Sequence, residues 1–307
     1  MVTGGAGFIG ATLVRRLLER GDSVTILDSG VAAGLGHVDA LGEHARLISG
    51  DIRDTARIEQ AVNGCDAAIH LAAQVNVPRS MDDPLGDLAV NVDGTVRLLE
   101  AARQHGIGRF IFASSNAAVG GHLPPMHEGL APWPVSPYGA AKAAGEAYVH
   151  AYHSAYGREG VSLRFANAYG PWSAHKSSVV ASFIRAWLGG GPLVLRGTGE
   201  QTRDFVHVDD VCRMIIACLD APAEQVAGEV FQVGSGQETS LLELADLIFD
   251  VGGHGVPIEH EAPSAGDVAR NYSDILKARR VLGWQPEVTL RDGIAQTLDW
   301  FRGHRRG

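Results

Sequence analysis

The sequence predicts an α/β fold: a doubly wound parallel sheet followed by a smaller C-terminal α/β lobe that binds substrate. Three observations carry this. A glycine-rich stretch stands between a short β-type stub and an amphipathic helix at the start of the chain. Short apolar runs and helical patterns then alternate through the first half, the signature of a parallel sheet with covered faces. At 45% hydrophobic and 20% charged over 307 residues, there is ample material for a sizeable core. The expected division is a dinucleotide-binding domain over 1–165, with a return around 203–235, and a mainly substrate-binding lobe over 166–307.

The opening, MVTGGAGFIGATLVRRLLERGDSVTILDSG, supplies the first βαβ unit. Val2-Thr3 is a stub shorter than the usual strand of about five residues. Ile9, Leu13, Leu17 and Leu18 form one apolar face of the following helix, Gly21 ends it, and SVTIL reads as a buried strand ending at Asp28. ARLIS is the next strand, leading to Asp51-Ile52 and a helix over Thr55–Val62. DAAIHLAAQ reads as a strand, LAVNVDGTVRLLEAARQHG as a helix and RFIFASS as a strand. Asp28, Asp51, Ala72 and Ser114 thereby fall at carboxyl ends of strands, where open α/β sheets bind ligands. Further on, SVVASFIRAWLGGGPLVLRGTGEQ reads as helix, glycine turn and strand. Ser240, with Glu243 three residues later, is a capping box.

Gly5-x-Gly7-x-x-Gly10, with Gly4 as an alternative first glycine, matches the dinucleotide fingerprint, and Asp28 follows about twenty positions on. The glycines admit a pyrophosphate to the helix N-terminus. Asp28 can accept both ribose hydroxyls and would repel a 2′-phosphate, so NAD is expected over NADP. SPYGAAKAAGEAYVHAYHSAYG carries Tyr138 and Lys142, which share one helix face at a spacing of four. A lysine ammonium beside a tyrosine, together with an oxidised nicotinamide, favours the phenolate as a base.

With these residues in place the chain resembles the extended short-chain dehydrogenases/reductases of the nucleotide-sugar epimerase/dehydratase branch. The matching stretches are TGGAGFIG, GDIRD, HLAAQ, NVDGT, SPYGAAKAAGE, RFANAYGP, TRDFVHVDDV and GDVARNYSDILKARRVLGW, which span almost the whole chain in order. The resemblance implies a Rossmann domain holding NAD, a UDP-sugar substrate and a homodimer built on a four-helix interface. It assigns Gly4, Gly7, Phe8, Ile9, Gly10, Asp28, Asp51, Ile52, Leu71, Ala72, Ala73, Asn91, Ser114, Tyr138, Lys142 and Ala166 to the cofactor. It assigns Arg79, Asn116, Asn167, Lys176, Val180, Arg203, Arg270 and Asn271 to the substrate.

The resemblance also narrows the reaction. In IFASSNAAVGGH, Val119 and Gly121 set the register, so Asn116 falls where the family keeps a proton-handling Ser or Thr and Gly120 where it keeps a tyrosine. Strand alternation puts Ser115 on the opposite side from Asn116. Related dehydratases carry an Asp-Glu pair after that hydroxyl. Ala117 and Ala118 replace it here, which points to oxidation and reduction at one carbon: a 4-epimerase acting through a 4-keto sugar. Tyr138, Lys142, Asn116 and Ser115 are the expected catalytic set, Asn116 holding O4 through its amide. A dehydratase or decarboxylase, or a non-catalytic NAD-binding sensor on the same fold, are the alternatives. Asn167 and Arg203 suit the diphosphate. Ser264 stands where the family often has an arginine, for which Arg270 is the candidate substitute. Asn271 borders the sugar's C2 substituent, and Lys176 suits a C6 carboxylate.

The net charge of −9 argues against bulk nucleic-acid binding. No apolar run approaches the ~20 residues of a membrane span. Cys65, Cys212 and Cys218 are scattered without metal spacing, and the 13 histidines show no His-x-x-x-His pair on a plausible helix, so no metal is expected. The sparse, odd cysteine count fits a reducing cytoplasm.

Overall fold

The computed structural model describes residues 1–31, 44–262 and 268–304. Seven parallel strands form the central sheet, in the order Val230–Val233, Glu159–Phe165, Arg109–Ser115, Ala67–His70, Val2–Thr3, Val24–Asp28, Ala45–Ser49. The fold is therefore an α/β sheet of Rossmann type. The two-residue stub sits at its centre: Val2 and Thr3 pair with Ile26 and Leu27 on one side and Ile69 and His70 on the other. Strand order reverses direction beside it, which opens the crevice where such sheets take ligands.

Each face of the sheet is covered. One core gathers Leu13, Val14, Ile26, Ile111, Leu163, Ile215 and Phe231; the other gathers Leu27, Ile58, Leu98, Phe110 and Phe112. Local signals set the helices. Asp54 caps Thr55–Val62 by accepting from Ala56 N and Arg57 N at 3.0 and 3.3 Å. Ser136 caps Pro137–Tyr156 by accepting from Gly139 N at 3.1 Å, and Gly157 ends that helix in the left-handed region.

Two boundaries differ from expectation. The strand expected over DAAIHLAAQ stops at His70. The helix expected from Leu88 onward begins at Pro84 and passes through a π turn, Ala89–Asp93, before resuming over Gly94–Gln104. That turn carries Asn91, which clips the loop after the strand: it accepts from Gln74 N and donates to Gln74 O and to Asp87 Oδ1, each at 2.9 Å. A wider turn that inserts one polar clip breaks the 3.6 period from which the helix was read.

The C-terminal residues build a third core around Phe183, Ile184, Trp187, Leu195, Leu244, Ile248, Leu298 and Phe301. Its small sheets include Thr202–Arg203 flanked by Thr239–Ser240 and Arg270–Asn271. Two buried carboxylates join segments distant in sequence. Asp204 accepts from Ser235 N and Oγ at 2.6 Å, Gly236 N at 3.2 Å and Ser273 N at 3.1 Å. Asp210 accepts from Glu287 N and Val288 N, both at 3.1 Å. Among the described residues no helix is long and apolar enough to cross a membrane.

Candidate active site

The glycine loop is shaped by close approach. A Cβ on Gly10 would lie 2.1 Å from Gly4 O, so no side chain is tolerated there. Gly7 caps the helix Phe8–Glu19 without any side-chain hydrogen bond, and its first turn holds no acid. The first N–H groups of that helix lack intrahelical acceptors and face outward for an anion. Asp28, at the end of its strand, accepts from Ala6 N at 2.9 Å and Gly30 N at 2.8 Å, which fixes the carboxylate beside the loop. An uncapped helix start beside a pinned carboxylate fits the pyrophosphate and ribose of a dinucleotide.

Leu71, Ala72 and Ala73 lie half-buried after the His70 strand end, opposite Gly4. His70 is locked between strands: its Nδ1 lies 2.7 Å from Thr3 Oγ1 and its Nε2 2.9 Å from Thr95 Oγ1, while Thr95 donates to Asn91 O at 2.7 Å. Because Thr95 gives its proton to the carbonyl, His70 Nε2 is the protonated nitrogen. Burial, with Lys142 nearby, lowers the imidazole to about 3, so it stays neutral. Asp51 is held by a two-pronged pair with Arg53 at 2.7 to 2.8 Å, which lowers its pKa, and Ile52 is buried in the core. Ala166 packs against the first core.

Tyr138 and Lys142 share the buried face of the long helix. Lys142 Nζ donates to Ala113 O at 2.8 Å and lies 5.8 Å from the centre of the Tyr138 ring. Burial pushes the Tyr138 phenol up to about 12; a hydrogen bond from the Ser115 hydroxyl opposes the shift and the Asp87 carboxylate adds to it. Burial lowers Lys142 to about 8, against Asp87 and Glu146, which favour the ammonium. In the chain alone burial outweighs the Ser115 hydrogen bond, so the phenol is neutral.

The expected catalytic pairing is also corrected. Ser115, half-exposed at the strand end, is the hydroxyl beside Tyr138. The chain leaves the strand there into a 3₁₀ turn, Asn116–Ala118, capped by Ser115 Oγ accepting from Ala117 N at 3.2 Å. That turn carries Asn116 inward. Its side chain is 4% exposed, and Nδ2 donates to Asn271 Oδ1 at 3.1 Å and Ser273 Oγ at 3.0 Å. Gly120 follows at φ +32°; a Cβ there would meet Trp133 O at 2.9 Å and Ala117 O at 3.2 Å. The segment Trp133–Pro134 leaves no room for a side chain at Gly120.

Other expected contacts are engaged elsewhere. The Ser114 hydroxyl donates to Glu146, on the helix side of the strand, so it does not face the cofactor crevice. The Asn91 amide is used by Gln74 and Asp87, as described. Arg270 is exposed and forms a two-pronged pair with Glu238 at 2.6 and 2.7 Å. Val180 is buried in the third core. The Arg203 guanidinium donates to Thr202 O and Val268 O, both at 2.7 Å. Asn167 donates to Asp204 O at 3.3 Å and is exposed. The Lys176 Nζ stands 5.0 Å from the centre of the Phe8 ring, at the start of the glycine-loop helix. Arg79 is exposed on the helix Val77–Asp82. Ser264 lies outside the described residues.

Sequence reasoning missed Asp87, Glu146 and Arg164. Asp87 is buried within electrostatic reach of both Tyr138 and Lys142 and accepts from Gln74 Nε2 and Asn91 Nδ2 at 2.9 Å. Glu146 pairs with Arg164 at 2.7 and 2.9 Å, both side chains less than a tenth exposed. The only sequence signal for Glu146 is its position, four residues after Lys142 on the same helix face.

Comparison with known proteins agrees with this geometry. The sequence profile of the NAD dependent epimerase/dehydratase family matches residues 1–234. A UDP-glucose 4-epimerase of Mycolicibacterium smegmatis is 43% identical over 312 residues, covering 98% of both chains. The crystal structure of a UDP-glucose 4-epimerase from Thermotoga maritima with UDP-glucose superposes with a TM-score of 0.92 at 35% identity, covering 98% of each chain. A dTDP-glucose 4,6-dehydratase from Streptomyces venezuelae with NAD bound superposes with a TM-score of 0.91 at 36% identity, covering 99% of this chain and 97% of that one.

Proposed function

This chain belongs to the NAD dependent epimerase/dehydratase family, and on that footing we propose that it is a nucleotide-sugar 4-epimerase acting on a UDP-hexose. The observation that carries the reading is the strand end itself. Ser115 stands beside the Tyr138 phenol, Lys142 lies under it, and Asn116 and Ala117, neither of them an acid, follow directly where elimination would require an acidic pair.

NAD, when bound, accepts hydride from C4 of the sugar and returns it to the other face. The chain supplies the rest. Tyr138 takes the proton of the 4-hydroxyl as C4 becomes a ketone, and Ser115 hydrogen-bonds the same oxygen and the phenolate. Lys142 adds positive charge under the ring. The 4-keto sugar turns over in the pocket, and the proton returns from Tyr138 to the epimeric alkoxide. The uncapped start of Phe8–Glu19 and Asp28 would hold the dinucleotide, and Lys176 the adjoining phosphates. The position of Lys176 against Phe8 favours a plain hexose over a hexuronic acid.

A homodimer is part of the reading. Val77, Met81, Leu85 and Leu88 are exposed on neighbouring short helices, and Tyr148 is exposed on the long helix, an apolar surface of the kind that pairs with a second copy.

The test is product analysis. The purified protein is incubated with NAD and, separately, with UDP-glucose, UDP-glucuronate and UDP-N-acetylglucosamine, and the sugars are resolved by NMR. Conversion of UDP-glucose to its C4 epimer is the expected result. A product that has lost water or carbon dioxide would overturn epimerisation, and turnover of glucuronate alone would overturn the hexose assignment.

A further inference from the structure

We infer that Asn116 is a positioning residue, a latch between the two lobes that orients Asn271 toward the sugar, and not a group that touches the reacting oxygen. The inference rests on the proposed function above.

Asn116 lies at the end of the sheet strand Arg109–Ser115, and Asn271 lies at the end of the small-lobe strand Arg270–Asn271. The Asn116 amide donates across the gap at 3.1 Å to Asn271 Oδ1 and at 3.0 Å to Ser273 Oγ. Ser273 in turn donates through its backbone N to Asp204 at 3.1 Å, so the latch ends on the fully buried hub that also holds Ser235 and Gly236. The backbone around Ser273 is held by Thr202–Arg203, which pairs with Arg270–Asn271, and by Met126, whose N donates to Tyr272 O at 2.7 Å and whose O accepts from Asp274 N at 2.8 Å; Asn116 adds the contacts to the Asn271 and Ser273 side chains.

Burial separates this role from a catalytic one. The remaining acceptor of Asn116, Oδ1, is buried with no partner and no access to solvent. A sugar oxygen cannot reach it while the latch is closed. Asn271 is half-exposed and has one hydrogen-bonding end committed to Asn116. Its other end, Nδ2, is left as a donor. The chemistry it would recognise is an acceptor oxygen on the sugar, either a hydroxyl or the carbonyl of an acetamido group. Cutting the latch frees Asn271 to rotate, and ordering it again on binding weakens the sugar contact while leaving the nucleotide contacts intact.

The experiment uses the full chain with NAD and compares wild type, Asn116→Ala, Asn271→Ala and the double variant. Calorimetry measures affinity for UDP, UDP-glucose and UDP-N-acetylglucosamine, and kcat is taken on whichever sugar turns over. Each single variant should weaken the sugar nucleotide about tenfold, the size of one lost hydrogen bond, with UDP unchanged. The double variant should be no weaker than either single one, and the loss in Asn116→Ala should fall on sugar affinity rather than on kcat. The sugar whose affinity falls identifies whether hydroxyl or acetamido is the group read. Additive weakening, equal weakening of UDP, or a kcat loss near a hundredfold with unchanged affinity would overturn the latch; the last would make Asn116 a catalytic group. If Asn116→Ala fails to fold, Asn116→Ser, too short to span the gap, is expected to show the same pattern. Failure of wild type to epimerise any sugar would sink the function instead, and the binding arm would still decide the latch.

Discussion

The Lys142 ammonium is bonded to a backbone carbonyl, Ala113 O at 2.8 Å, and lies under the Tyr138 ring rather than at its hydroxyl. Ser115 is the group that hydrogen-bonds the phenol. The arrangement fits the proposed division of work, in which Lys142 supplies charge under the ring and Ser115 the hydrogen bond to substrate.

The titration of Tyr138 follows from it. Burial raises the phenol to about 12, so the fold favours its neutral form. That contributes stability below the ordinary tyrosine value, and the contribution is lost as pH rises from about 10 towards 12. Binding of oxidised NAD places a positive ring nearby and should lower the titration by about one to three units. A tyrosinate difference spectrum recorded with and without NAD, absent in Tyr138→Phe, checks this; no shift on binding would refute it.

Ser115→Ala should lower kcat by about a hundredfold or more, the range of a lost proton-handling partner, with the sugar nucleotide still bound. Steady-state kinetics beside the Asn116 variants decide the question. Equal turnover in wild type and Ser115→Ala would return the role to another residue.

Glu146→Gln should destabilise the protein by about 3–5 kcal/mol, because it leaves the Arg164 guanidinium buried without its carboxylate. The double variant Glu146→Gln/Arg164→Met should recover part of that loss. Denaturant unfolding monitored by fluorescence measures both, and a single variant as stable as wild type would contradict the burial argument.

Leu85→Glu should convert a dimer to a monomer in light scattering while leaving the unfolding midpoint nearly unchanged, since the side chain is 77% exposed in the single chain. A dimer that survives the charge would move the interface elsewhere.

Much of the sheet was legible because each signal was local. The Ser240/Glu243 box caps as read, and Asp54 before Thr55–Val62 and Ser136 before the long helix are caps of the same local kind. The partners of Ser114 and Arg270 were not legible. Glu146 and Glu238 each lie 32 residues away, brought near only by the fold. The choice between Ser115 and Asn116 failed for a different reason. Strand alternation sorts side chains only while the strand lasts, and here it ends at Ser115. Asp87 and Asp204 escaped notice because a buried carboxylate is visible only through its donors.

Gly120 carries a consequence for transplanting parts between relatives. With Trp133 O 2.9 Å from where its Cβ would stand, the strand-end segment and the Trp133–Pro134 segment interlock. They must be exchanged as one cassette. A chimera that imports a strand end with any side chain at this position, but keeps Trp133–Pro134, would collide with itself, so the two segments are inherited together or not at all.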